Sequence, residues 1–250
     1  MQRYFVTPDS FQNDTVTIIG DDVKHITRVL RMEAGDEVIV CNGLGSAYRV
    51  ALTDLGAEAV SARIIEELDR QAEARVKITL AQGLPKGDKM DLIVQKGTEV
   101  GIHEFQPLDM ARCIVKYDAK KEQKRRERWQ KIAKEAAEQA HRNLIPDVAD
   151  AVTFKQFLGQ LSGYDLVLVP YEAERGTGLR DVLDKHPDAA NVCVVIGPEG
   201  GIAEQEIEHL LAAGAHPVSL GARILRTETA GLVTAACLHY HYGEMGGLST

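Results

Sequence analysis

The sequence predicts an α/β protein, with a small, mostly β unit ahead of a larger domain built on a parallel sheet. Three observations carry this. From Val76 onward, strand-like runs alternate with helical stretches, the pattern of a parallel sheet covered by helices. Two of those runs, DLVLVP (165–170) and NVCVVIGP (191–198), are short apolar segments bounded by turns, which is how central parallel strands read. Ahead of them, the first 70 residues hold short, alternating, β-branched runs instead.

In chain order, strands are expected at 3–6, 37–41, 47–52 and 57–65, with the turn Asn42-Gly43-Leu44-Gly45 joining two of them. A helix is expected from Asp21 to Leu30, capped by Asp21 or Asp22, with Val23, Ile26, Val29 and Leu30 as its apolar stripe. The polar stretch 69–75 marks the boundary, giving domains 1–70 and 75–250. VKITLAQGL (76–84) reads as a strand ending in a Gly/Pro turn. Lys89–Val100 follows as a helix with Met90, Ile93, Val94 and Gly97 on one side, and HEFQPL (103–108) as the next strand. A long helix runs from Lys120 to Arg142, with Trp129, Ile132, Ala133, Ala136 and Ala140 at helical spacing and Pro146 as a stop. Helices at 179–186 and 203–213, the latter with Ile207, Leu210 and Leu211 apolar, alternate with the two apolar strands. A strand at 217–221 and an apolar helix from Thr227 to Tyr240, capped by Thr227 or Thr229, complete the pattern.

The totals bound the function. The chain has 250 residues, 44% hydrophobic and 26% charged, and 29 basic against 37 acidic residues give a net charge of −8. That balance excludes non-specific wrapping of nucleic acid, so any RNA site is a local patch. MQRYFVTPDS carries no signal-peptide core and no run is long enough to span a membrane, so a cytoplasmic protein is expected. Cys41, Cys113, Cys193 and Cys237 lie far apart without metal-ligand spacing; buried, reduced thiols and no metal site are expected.

Four stretches stand out. Ile196-Gly197-Pro198-Glu199-Gly200-Gly201 joins an apolar strand to a helix, and its glycines let a ligand approach the backbone at the carboxyl edge of the sheet. A plain tight turn explains it about as well, and it is neither a P-loop nor a GxGxxG turn. Residues 219–230, SLGARILRTETA, repeat the strand–loop–helix arrangement and hold two arginines and a glutamate ahead of an apolar helix. An ion pair of Arg223 or Arg226 with Glu228 would account for one arginine but not both. Val169-Pro170-Tyr171-Glu172-Ala173-Glu174 ends a third strand. Finally, 116–134 (KYDAKKEQKRRERWQKIAK) is strongly basic in an acidic chain. It is either a solvated helix face with pairs such as Glu127–Lys131, or a phosphate-contact surface through Lys120, Lys121, Lys124, Arg125 and Arg126, extended by Arg28 and Arg31. The eight histidines show no metal spacing.

IGPEGG followed by SLGARILRTETA resembles the cofactor-binding signature of the SPOUT methyltransferases, and the chain is most similar to the 16S ribosomal RNA uracil-N3-methyltransferases among them. The resemblance covers nearly the whole chain: RYFV and HITRVLRMEAGDEVIVCNGLG match that family's N-terminal domain, while KGDKMDLIVQKGTEVGIHEFQPL and RWQKIAKEAAEQAHR match its first catalytic-domain helices. It implies a PUA-like β-barrel for RNA binding, a trefoil-knotted catalytic domain, a homodimer, and a uridine of the small-subunit RNA as substrate. It also implies S-adenosylmethionine bound by Pro170, Tyr171, Glu172, Ile196, Gly197, Pro198, Glu199, Gly200, Gly201, Leu220, Gly221, Ile224, Leu225, Thr229 and Ala230. A sulfonium methyl is already activated, whereas uracil N3 must lose a proton to become a nucleophile. An arginine fork suits the carbonyl oxygens that carry the resulting charge. Arg226 is expected to stabilise that anion with Glu228 orienting it, Arg223 and Arg112 being weaker candidates, and Glu172, Glu199 or water is expected to be the base. Three readings compete: a related methyltransferase acting on a ribose 2′-OH or on tRNA, a non-catalytic RNA-binding protein, and a nucleotide-binding metabolic enzyme.

Overall fold

Alternating burial builds a curled sheet from the N-terminal residues. The computed structural model of the chain describes residues 1–68 and 73–245. They gather into two compact units, Met1–Glu73 with Ala137–Ile145, and Ala74–Ala136 with Pro146 onward. Of the polar stretch 69–75 where a boundary is expected, residues 69–72 lie outside the described residues.

The first unit holds β1 (Arg3–Phe5), β2 (Phe11–Gln12), β3 (Thr15–Ile19), β4 (Glu37–Cys41), β5 (Ala47–Leu55) and β6 (Ala59–Leu68). They form one sheet in the order β1-β4-β5-β6-β3-β2, antiparallel except for the β1–β4 pair. β3 is a strand the sequence reading passed over, although TVTII alternates exposed and buried side chains in the usual period of two. Val16 and Ile18 join Val38, Val40, Val50, Leu52 and Val60 in the core. The expected helix 21–30 is cut short: α1 (Asp21–Lys24) gives way to a π turn at His25–Val29. Its N-cap is Gly20, with φ of 78°, rather than an aspartate, and only Val23 and Ile26 of the expected stripe are buried. Val29 and Leu30 face solvent, 68% and 42% exposed.

Residues 137–145, expected in the second domain, group with the first unit. A buried polar network explains this. Arg3 donates to Asn143 Oδ1, to the Arg142 carbonyl at 3.1 Å and to Cys41 Sγ at 3.3 Å. The Glu73 carboxylate accepts from Arg142 Nη2 at 2.7 Å and from the backbone N–H groups of Asn143 and Leu144 at 2.9 and 3.0 Å.

The second unit runs β7 (Lys77–Gly83), α2 (Lys89–Val100), β8 (Glu104–Asp109), α3 (Ala119–Gln139, its last residues in the first unit), β9 (Asp147–Val148), β10 (Val152–Thr153), α4 (Phe154–Leu158), β11 (Leu166–Pro170), α5 (Leu179–Leu183), β12 (Asn191–Ile196), α6 (Glu204–Ala212), β13 (His216–Val218) and α7 (Thr227–His241). The sheet is parallel, ordered β10-β8-β7-β12-β11-β13, with β9 also on β8. β9, β10 and α4 were not expected; each is too short to show periodicity. The apolar runs at 165–170 and 191–198 lie at the centre as β11 and β12, where Leu168, Val192, Cys193, Val194 and Val195 are wholly buried. α7 packs on α2 and crosses β7 closely: a Cβ on Gly231 would lie 2.9 Å from Leu80 Cδ1. Leu211, expected on the apolar side of α6, is 44% exposed, and Cys237, expected buried, is exposed on α7; Cys41, Cys113 and Cys193 are buried. No helix among the described residues is long and apolar enough to cross a membrane.

Candidate functional site

A parallel sheet delivers the carboxyl ends of its strands to one edge, where ligands bind. Here β7, β12, β11 and β13 end together, with Gln82 in register with Ile196 and Pro170 with Val218. Their loops enclose a cavity of about 680 Å³. The loop after β11 contributes Pro170, Tyr171 and Glu172; the loop after β12 contributes residues 196–202; the loop after β13 and the start of α7 contribute 219–228 and Ala230. The three stretches singled out in the sequence therefore meet at one site. Of the expected cofactor residues only Thr229 is absent from the lining: it is exposed on the first turn of α7.

Close packing fixes the Gly-rich loop. A Cβ on Gly83 would lie 2.6 Å from Pro198 Cδ, and one on Gly197 would lie 2.8 Å from the Gly201 carbonyl carbon and 2.9 Å from Ile202 N. Gly201 has φ of 73°, and its missing side chain leaves room for Glu172 Oε1. Arg112 donates to the Gly200 carbonyl at 2.9 Å, so it clamps this loop from outside. The Gly197→Ala variant is expected to bind a ligand of this cavity about 10- to 100-fold more weakly, because backbone neighbours cannot rotate away and overpacking of this kind costs about 1–3 kcal/mol. Calorimetric titration checks it.

A buried relay joins two strand ends to the start of α7. Gln82, wholly buried, donates from Nε2 to the Gly83 carbonyl and to Thr227 Oγ1, each at 2.9 Å. The Thr227 hydroxyl in turn donates to the Gly197 carbonyl at 2.7 Å. Thr227 is thus a tie between loops and not the helix cap it was expected to be; the N-cap of α7 is Arg226, without a side-chain capping bond.

The charges pair differently from the sequence reading. Glu228 makes no ion pair with Arg223 or Arg226 among the described residues; its partner is Lys89, at 3.5 Å. The same ammonium lies 2.9 Å from Glu199, which also accepts the backbone N–H of Lys86 at 3.0 Å. Burial pushes the Glu199 carboxyl up, but the hydrogen bonds from Lys89 and Lys86 and the Lys89 charge outweigh it and hold the group below its ordinary value. Glu199 is therefore a poor base. Arg223 and Arg226 stay exposed on the cavity rim, with Arg175 beside them. Sequence reasoning missed Lys89, Gln82, Thr227 and Arg175 as site residues. The available signal was the Gly/Pro turn after β7, a fourth strand end of the same kind.

The basic tract forms the exposed side of α3, and part of it is structural. Arg126 donates to the Val148 carbonyl at 2.7 Å and pairs with Asp150, while Arg125 pairs with Asp88 at 3.4 Å. Lys121 lies 5.3 Å over the Tyr117 ring. Lys131 pairs with Glu135, not with Glu127. Lys120 and Lys124 are exposed and make no ion pair among the described residues. In the first unit Arg28 and Arg31 are also exposed, flanking Val29 and Leu30.

Residues 72–239 match the family model of an RNA methyltransferase domain, and residues 18–65 that of an RNA methyltransferase PUA domain. The chain is 41% identical over 247 residues to ribosomal RNA small subunit methyltransferase E of Bacillus subtilis, covering 96% of each. It is 37% identical to the protein of the same name from Synechocystis, covering 94% of this chain and 76% of that one. The crystal structure of ribosomal RNA small subunit methyltransferase E from Neisseria gonorrhoeae bound to S-adenosyl methionine superposes with a TM-score of 0.86 at 34% identity, covering 96% of this chain and 97% of that one.

Proposed function

Because the chain belongs to the RNA methyltransferase family of the ribosomal RNA small subunit methyltransferases E, we propose that it methylates N3 of a specific uridine in the 16S RNA of the small ribosomal subunit. S-adenosylmethionine is the methyl donor. The observation that carries the reading is the convergence of three separate strand-end loops on one cavity of about 680 Å³. That volume suits a nucleoside-sized ligand. Its lining fits this one: Ile196, Leu220 and Leu225 offer apolar contact beside exposed backbone, and Glu172 and Glu199 suit a ligand bearing a sulfonium and an ammonium. Calorimetry with S-adenosylmethionine is expected to show one saturable site per chain; no binding contradicts the reading. The similarity to ribosomal RNA small subunit methyltransferases E favours this over another RNA target, and the signature loops assembled around the cavity speak against a non-catalytic protein.

In this proposal residues 1–70 bind RNA and residues 75–250 carry catalysis. The bound methyl donor supplies an activated electrophile, so the protein's work is to orient the base and manage its charge. Arg226 donates to a carbonyl oxygen of the uracil as N3 becomes negative. Lys120 and Lys124 on α3, with Arg28 and Arg31, contact phosphates. Lys120→Ala and Lys124→Ala are each expected to reduce the slope of log affinity against log salt by about 0.7–0.9. Filter binding over a salt series reads this, and an unchanged slope removes that lysine from the interface.

The proposal includes a trefoil knot and a homodimer. Two features support the knot: β13 pairs with β11 rather than with the preceding β12, and the chain then returns to the β12 loop through the Thr227 hydroxyl. The dimer is supported by α7, which leaves Cys237 and Tyr240 exposed, Tyr240 by 72%. Light scattering that returns the mass of one chain contradicts it. A cytoplasmic location follows from a ribosomal RNA substrate.

A further inference from the structure

We propose that Glu228 takes the proton that leaves uracil N3, and that Lys89 is the positioning residue that holds it for this step; the inference rests on the methyltransferase reading above.

Three carboxylates line the cavity: Glu172, Glu199 and Glu228. Glu199 is committed to Lys89 and to the backbone N–H of Lys86. Glu172 is exposed, makes no ion pair among the described residues and packs its Oε1 against Gly201. Glu228 differs from both. It sits in the first turn of α7, where the helix N-terminus favours a negative charge. Its Oε2 is out of contact with solvent and faces the Lys89 ammonium as an ion pair at 3.5 Å. The side chain keeps 18% exposure, which falls on its other atoms. With Oε2 turned to the ammonium, the part of the side chain that faces the cavity is left to take a donor from the ligand, an ionised carboxylate being an acceptor only. The N3–H group of uracil supplies the donor. The carbonyls on either side of N3 accept from a cationic fork, and Arg226 lies two residues away on the cavity rim.

The step balances. The N3–H bond breaks and its proton passes to Glu228. The N3 electron pair forms the bond to the methyl carbon, and the carbon–sulfur bond breaks with its pair left on sulfur. Glu228 then releases the proton to water, leaving 3-methyluridine and a neutral thioether. Lys89 does not touch the base. Its ammonium lies 2.9 Å from Glu199 and 3.5 Å from Glu228, so it offsets the repulsion between two neighbouring carboxylates and ties the loop after β12 to the start of α7.

The test compares wild type with Glu228→Gln, Lys89→Met and Lys89→Arg. Each is titrated calorimetrically with S-adenosylmethionine, then assayed for single-turnover methyl transfer to unmethylated small subunits over about pH 5.5–9. Glu228→Gln is expected to keep cofactor affinity within about threefold while transfer falls about 100-fold or more, the range of a lost general base. Lys89→Met is expected to lose about tenfold and to move the acid limb of the profile to higher pH, because neighbouring carboxylates without the ammonium hold a proton more tightly. Lys89→Arg restores both. If Glu228→Gln does not fold, Glu228→Asp is expected to bind cofactor normally and transfer about tenfold more slowly, since the acid is withdrawn by one methylene. A near-wild-type rate in Glu228→Gln, or cofactor affinity weakened tenfold or more in it, overturns the role of Glu228. An unshifted profile in Lys89→Met overturns that of Lys89. If wild type transfers no methyl group, the methyltransferase reading fails instead.

Discussion

Glu73→Ala is expected to destabilise the first unit by about 1.5–3 kcal/mol, the worth of hydrogen bonds to a charged group in a largely buried network. The Glu73 carboxylate lies 2.7 Å from Arg142 Nη2, and the Arg142 side chain is only 5% exposed. The same carboxylate accepts the backbone N–H groups of Asn143 and Leu144, so alanine also strips two partly buried backbone donors of their acceptor. Arg3 depends on the arrangement at second hand, because it donates to the Arg142 carbonyl and to the Asn143 side chain. Urea unfolding reads the loss as a lower midpoint. Every residue lining the cavity lies between Lys89 and Ala230, in the second unit, so binding of S-adenosylmethionine at low denaturant is expected to survive. A midpoint unchanged from wild type would show that the network contributes no net stability.

Arg226→Lys is expected to slow methyl transfer by about 10²–10³-fold while cofactor binding stays near wild type, the effect of removing one oxyanion donor. Lysine keeps the charge but loses the planar fork that reaches a carbonyl oxygen with directed N–H groups. Arg226 is free to act in this way: it caps α7 through its backbone, its side chain is exposed on the rim, and it makes no ion pair with Glu228. Single-turnover kinetics with saturating cofactor separate this from a binding defect. A rate within threefold of wild type removes Arg226 from the chemistry.

The second unit was legible in the sequence because its strands are central. Residues 166–170 and 191–196 are apolar on both faces, and no other element reads that way at such lengths. The site was legible for a related reason: glycine and proline at strand ends mark where the backbone must turn tightly, and three such loops on a parallel sheet meet at one edge. What escaped was tertiary. Lys89 looks like any solvated lysine at the start of a helix, and only the fold brings it to Glu199 and Glu228. Thr227 reads as a cap, yet its hydroxyl finds the Gly197 carbonyl. In the first unit, TVTII was passed over because five residues carry a weak signal, and the helix at 21–30 was overextended because Val29 and Leu30 fit a stripe that the π turn rotates into solvent. The grouping of 137–145 with the first unit depends on Arg3, Glu73 and Arg142, charges that only packing can pair.

The most direct test of the account is methyl transfer from labelled S-adenosylmethionine to small ribosomal subunits from a strain lacking the modification, followed by nucleoside digestion. The account predicts label in 3-methyluridine alone, at one position of the 16S RNA. Label in a 2′-O-methylated nucleoside, or no label despite saturable cofactor binding, would contradict it.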